Sequence, residues 1–146
     1  MNKKLLLTML AAVFSTLFLA AVLFAGPAVQ DTIKLDNKAY AKHTFSPVMF
    51  SHKKHVADYK AKCGDCHHDA KGKPLTNLKA GDKVKGCIEC HKIPGKKPAD
   101  VDAKKKLDYH AEAMHQKCIK CHQDANKKGK KAPVACNQCH VGGKLK

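Results

Sequence analysis

The chain has no tryptophan and no arginine. Aromatic residues make up 5% of it, and beyond residue 25 they reduce to Tyr40, Phe45, Phe50, Tyr59 and Tyr109. Without arginine there is no planar donor fork for reading phosphates or base edges, and without aromatic faces bases have little to stack on. A nucleic-acid module is a poor fit on both counts. Large apolar side chains are scarce too. The 44% hydrophobic content is inflated by the first 25 residues and by eight cysteines. The remaining 26–146 cannot offset its ordering entropy by side-chain burial alone. Something other than protein must form the core.

The N-terminus reads as a secretory leader. Lys3 and Lys4 precede an uncharged apolar run from Leu5 to Ala25, followed by small residues at Ala25, Gly26 and Ala28. This predicts a signal peptide over 1–25, cleaved near 25–28, and an exported domain over 26–146. The same run is long enough to span a bilayer, so a retained anchor is the alternative. No cysteine lies near the cleavage region, which excludes a lipoprotein anchor.

Lysine supplies all 28 basic residues against 12 acidic ones, a formal charge of +16 that falls to +14 without Lys3 and Lys4. An excess of this size attracts acidic surfaces or offsets bound anions.

All eight cysteines fall in four C-x-x-C-H units: Cys63, Cys66 and His67; Cys87, Cys90 and His91; Cys118, Cys121 and His122; Cys136, Cys139 and His140. This spacing attaches a c-type haem through two thioethers, with the histidine turning back to the iron. A disulfide framework is the ordinary expectation for eight cysteines in an exported chain, but it does not require a histidine after every second cysteine. Zinc ribbons do not require it either. Four such units with no cysteine left over point to four haem c groups, whose apolar faces would supply the missing core.

Four irons need eight axial ligands. His67, His91, His122 and His140 fill four. His43, His52, His55, His68, His110 and His115 remain, and this surplus argues against Met49 and Met114 as ligands. The expectation is bis-histidine ligation, closed to outside ligands and without the methionine that raises potential, hence low-potential electron transfer rather than catalysis. His68 cannot reach the far side of the haem already bound by its neighbour His67. As a ligand it would have to serve a second haem, and so hold two haems side by side.

Around these units the expected structure is sparse. Residues 30–42 give a weak strand or arm through Ile33 and Leu35, and Phe45 to Phe50, broken by Pro47, is irregular or an edge strand. Ser51 starts a helical turn that puts His52 and His55 on one side. Residues 71–85, 93–98 and 126–131 read as loops, the last basic and flexible. The best helix runs from Ala103 to about Gln116, capped by Asp100 or Asp102, with Leu107, His110, Ala111, Met114 and Cys118 at helical spacing.

The pattern His52-x-x-His55, then Cys63-x-x-Cys66-His67-His68, then Ala113-Met114-His115 before the last two units, resembles the tetrahaem cytochrome c3 family of class III cytochromes c. The resemblance runs from Val48 to His140. It implies a mainly α and irregular fold, with a small α+β part at most, around a compact four-haem core. It implies crossed ligation: His52 with His67, His68 with His91, His55 with His122, and His115 with His140. Phe50 matches a family aromatic packed between haems. The resemblance also implies a monomeric, non-enzymatic periplasmic carrier in sulfate-reducer-like respiration. Its partners would be acidic redox proteins: a hydrogenase or formate dehydrogenase as donor and membrane-bound cytochrome complexes as acceptors. Lys117, Lys120, Lys127, Lys128, Lys130 and Lys131 match the family's docking cluster. Two departures stand out. Many members have four residues between the cysteines of units two and four. His115 also lies closer to Cys118 than in many members, which leaves His110 as a competing ligand. A reductase with one open iron position is the alternative function.

Overall fold

The computed structural model describes residues 29–145. The leader and cleavage site expected at 1–25 and 25–28 lie outside the described residues. Among the described residues no helix is long and apolar enough to cross a membrane. Residues Gln30–Leu78 and 84–145 make one unit. Lys79–Lys83 falls outside it; there the Asp82 carboxylate accepts the Lys79 N–H at 2.8 Å.

Regular structure is sparse. Strand β1 (Ile33–Leu35) pairs antiparallel with β2 (Val48–Phe50), Ile33 opposite Phe50 and Leu35 opposite Val48. Alternation turns these four apolar residues to one half-buried side and leaves Lys34 and Met49 exposed. Pro47 sits just ahead of β2, where its missing N–H does not break the ladder. Helix α1 (His52–Ala57) follows at once, and α2 (Cys63–Cys66) is a single turn. Two 3-10 turns, Cys87–Glu89 and Lys106–Asp108, precede the long helix α3 (His110–Lys127) and the one-turn α4 (Cys136–Cys139).

Two expectations need correcting. The best helix is not Ala103 to Gln116 but His110–Lys127. Asp102 does cap, but it caps a turn: its carboxylate accepts the Lys104 N–H at 2.6 Å and its carbonyl those of Lys105 and Lys106 at 3.0 Å. The basic segment 126–131 is not a free loop either. The Lys130 N–H donates to the Ala125 carbonyl and the Gly129 N–H to the Asn126 carbonyl, with Gly129 at φ 77°. These two bonds form a Schellman cap, which needs a left-handed residue at that position.

Among the described residues no hydrophobic side chain is buried, and the one buried residue is Gly64, against Pro74 and Leu75. The expectation that protein side chains would not form the core holds.

Candidate metal centres

Each C-x-x-C-H unit is built as a helical turn. The His67, His91 and His140 N–H groups donate back to the carbonyls of Cys63, Cys87 and Cys136 at 2.8, 2.9 and 2.8 Å. In these three units the residue before the second cysteine closes the turn. Asp65, Glu89 and Gln138 accept the N–H groups of Lys62, Gly86 and Ala135 at 2.8, 2.5 and 3.0 Å. A terminal N–H has no partner inside so short a helix, so the side chain supplies one. The third unit has Lys120 at this position and needs no such closure, because α3 runs through it.

Three pairs of histidines lie close together. Ring centroids are 6.1 Å apart for His55 and His122, 6.0 Å for His68 and His91, and 6.3 Å for His115 and His140. A metal–imidazole bond is about 2.0–2.1 Å and the ring centre lies about 1.1 Å behind the nitrogen, so two rings bound on opposite sides of one metal stand roughly 6.2 Å apart. Partial burial holds the His67 imidazole below its usual value, and positive charge on His52 and then on His68 adds to this. The neutral imidazole is the form that binds metal.

Backbone carbonyls set the tautomers. The Nδ1 atoms of His122 and His140 donate to the Pro133 and Ser46 carbonyls, each at 2.6 Å, and His91 Nδ1 donates to the Leu107 carbonyl. His55 and His68 do the same toward Ser51 and Asp69 at 2.9 and 2.8 Å. A carbonyl can only accept, so Nδ1 carries the hydrogen and Nε2 keeps a free lone pair. Such outer bonds orient metal-binding histidines and raise their basicity. Phe50 lies against both His52 and His55, with centroids 5.9 and 4.7 Å away, and so spaces two of the pairs.

The two remaining histidines are not paired with a C-x-x-C-H histidine ring. His43 stacks on Tyr40 at 5.2 Å and its Nε2 meets the Asp36 carboxylate at 2.9 Å. His110 Nδ1 is hydrogen-bonded to the Tyr40 hydroxyl at 2.9 Å. It is His115, not His110, whose ring faces His140. Met49 points outward from β2. The sequence reading missed Tyr40, Ser46 and Asn126. It also missed the capping residues, although an acid or amide before the second cysteine in three of four units was a usable signal.

None of the eight cysteines pairs with another in a disulfide. Among the described residues no three His, Cys, Asp or Glu side chains form a cluster that would hold a bare ion. Close imidazole pairs, cysteine pairs each set on one turn, and apolar side chains with no protein core fit a c-type haem better than a zinc site.

Comparison with known proteins agrees. The profile of the class III cytochrome C family matches residues 28–140. The cytochrome c3 of Maridesulfovibrio salexigens is 35% identical over 108 residues, covering 70% of this chain and 85% of that protein. Cytochrome c3 of Desulfovibrio desulfuricans is 34% identical over 109 residues, with the same two coverages. Cytochrome c3 of Nitratidesulfovibrio vulgaris is 33% identical over 132 residues, covering 82% and 90%. With its C-x-x-C-H turns and paired imidazoles, the chain belongs to the class III cytochrome c family.

Proposed function

We propose that this multihaem electron carrier holds four c-type haems and works at low potential in the periplasm. Cys63 with Cys66, Cys87 with Cys90, Cys118 with Cys121, and Cys136 with Cys139 are the attachment pairs. His52 with His67, His68 with His91, His55 with His122, and His115 with His140 are the axial pairs. Haem iron supplies a one-electron couple whose potential is set by its axial ligands and surroundings. The chain's own residues do the rest. The carbonyls of Leu107, Pro133 and Ser46 orient the imidazoles and enrich them in electron density, which favours oxidised iron and a low potential. Two imidazoles per iron leave no position for a substrate, so the reading is carriage rather than catalysis. Donors would be a periplasmic hydrogenase or formate dehydrogenase, and acceptors membrane-bound cytochrome complexes. Lysines at the end of α3 would attract their acidic surfaces.

The observation that carries this reading is the 6.0–6.3 Å spacing of three imidazole pairs. Ligand access tests it. The wild-type ferrous protein should not bind carbon monoxide, and His115→Ala should bind it at one iron. His110→Ala should stay closed. Carbon monoxide binding by the wild type would instead favour a reductase with an open position, and a mass inconsistent with four haems would refute the count.

A further inference from the structure

The segment 132–135 is held from both sides. The Asn126 amide clamps Ala132 at two points: its Nδ2 donates to the Ala132 carbonyl at 3.0 Å and its Oδ1 accepts the Ala132 N–H at 2.7 Å. On the other side Gln138 Oε1 accepts the N–H groups of Val134 and Ala135 at 2.9 and 3.0 Å. Between these clamps lies Pro133, whose carbonyl receives the His122 Nδ1 hydrogen at 2.6 Å. Proline fixes its own φ near −65°, so the Asn126 clamp on Ala132 places Pro133 from one side, while Gln138 holds the Val134 N–H that shares a peptide plane with the Pro133 carbonyl.

Nothing in the haem reading requires Asn126. It binds no metal, and the Schellman cap around it uses only its backbone carbonyl. Its side chain is spent wholly on the residue next to a ligand's hydrogen-bond partner. The geometry points to Asn126 as a positioning residue for the His55–His122 centre: it aims the Pro133 carbonyl at His122 Nδ1 and thereby lowers that one centre's reduction potential. The inference rests on the bis-histidine haem reading. It separates this centre from those of His91 and His140, because Leu107 lies in a 3-10 turn beside the Ile93–Tyr109 bridge and Ser46 is held by Gly143 and Gly142. Only at His122 does a side chain hold the acceptor segment by a two-point amide clamp.

The test is Asn126→Ala in the full four-haem protein, with each centre's potential resolved by NMR through the oxidation steps. A looser Nδ1–H bond makes the imidazole a weaker donor and destabilises oxidised iron. Second-shell losses of this kind start at about tenfold. The expected result is a rise in one centre equivalent to about tenfold in its equilibrium, about 59 mV for one electron. The other three centres stay in place. No shift, or an equal shift in all four, would overturn the inference.

A second measurement needs no variant. In the wild type the Ala132 amide and the His122 Nδ1–H should exchange with solvent at matched rates, because one opening frees both. Unrelated rates would also overturn it. A wild-type spectrum without low-spin bis-imidazole haem would instead sink the parent reading, so the two failures are distinguishable.

Discussion

At the residue scale the last turn of the chain depends on one missing side chain. A Cβ on Gly142 would stand 2.8 Å from Ser46 Cβ and 3.0 Å from its Oγ. The clash matters because Ser46 holds three bonds in this region. Its carbonyl accepts from His140 Nδ1, its N–H donates to the Gly143 carbonyl at 2.9 Å, and its Oγ accepts the Gly142 N–H at 3.0 Å. Gly142→Ala should therefore push Ser46 away from His140. Overpacking of this kind costs about 1–3 kcal/mol. Thermal unfolding of the holoprotein should record that loss, together with a raised potential at the His115–His140 centre. Unchanged unfolding and potential would show that the chain relaxes there freely. The choice between His110 and His115 also belongs to this scale. It was open in the sequence, which shows neither the Tyr40 hydroxyl that meets His110 from 70 residues away nor the place of His115 beside His140.

At the element scale the helix boundary is the instructive error. The expected helix counted Leu107, His110, Ala111, Met114 and Cys118 as one face, yet ended near Gln116. The helix instead begins at His110, after the 3-10 turn Lys106–Asp108, and runs on to Lys127 with His115, Cys118, His122 and Ala125 at steps of three and four. Periodicity was legible; the end was not, because the Schellman cap at Gly129 sets it. The short turns teach the converse. Their ends are set by local chemistry that a sequence shows plainly, an acceptor three residues after the turn begins. Asp65→Ala should remove the partner of the Lys62 N–H at a cost of about 1 kcal/mol. Denaturant unfolding of the variant should show it, with haem content unchanged. A neutral result would mean that the thioethers alone hold the turn.

For the whole molecule, the lack of a buried apolar side chain among the described residues leaves cofactor cross-links as the main constraint. The proposed pairs close loops of 15 to 67 residues. In a chain-entropy picture each such closure contributes between about 3 and about 4.7 kcal/mol. The chain without haem should then show no cooperative calorimetric transition, while the holoprotein unfolds in one. A sharp transition in the haem-free chain would reveal a protein core. Charge acts at this scale as well. Lys127 is engaged by Asp124 at 2.9 Å, which leaves Lys128 and Lys130 as better probes of docking. Changing both to Glu should slow reduction by an acidic donor about tenfold at low salt. The difference should close as salt approaches about 1 M, where the screening length is roughly 3 Å. Rates that ignore both the charge change and the salt would remove this surface as the docking site. The family was legible as residue order. The carbonyls that meet the histidines' Nδ1 atoms were not, since Ser46, Leu107 and Pro133 reach their histidines only through the fold.

The bond from His140 to the Ser46 carbonyl spans 94 residues, and synthesis runs from one end. At about 5–20 residues per second, Ser46 emerges on the order of 5–20 s before the residue it will hold. For that interval the early half of the protein has ligands and attachment points but no closing partner. A chain with a greasy core would be exposed to clumping while it waited. Here the waiting segment is rich in lysine and poor in apolar surface, so the same composition that denies the finished protein a core of its own protects the unfinished one.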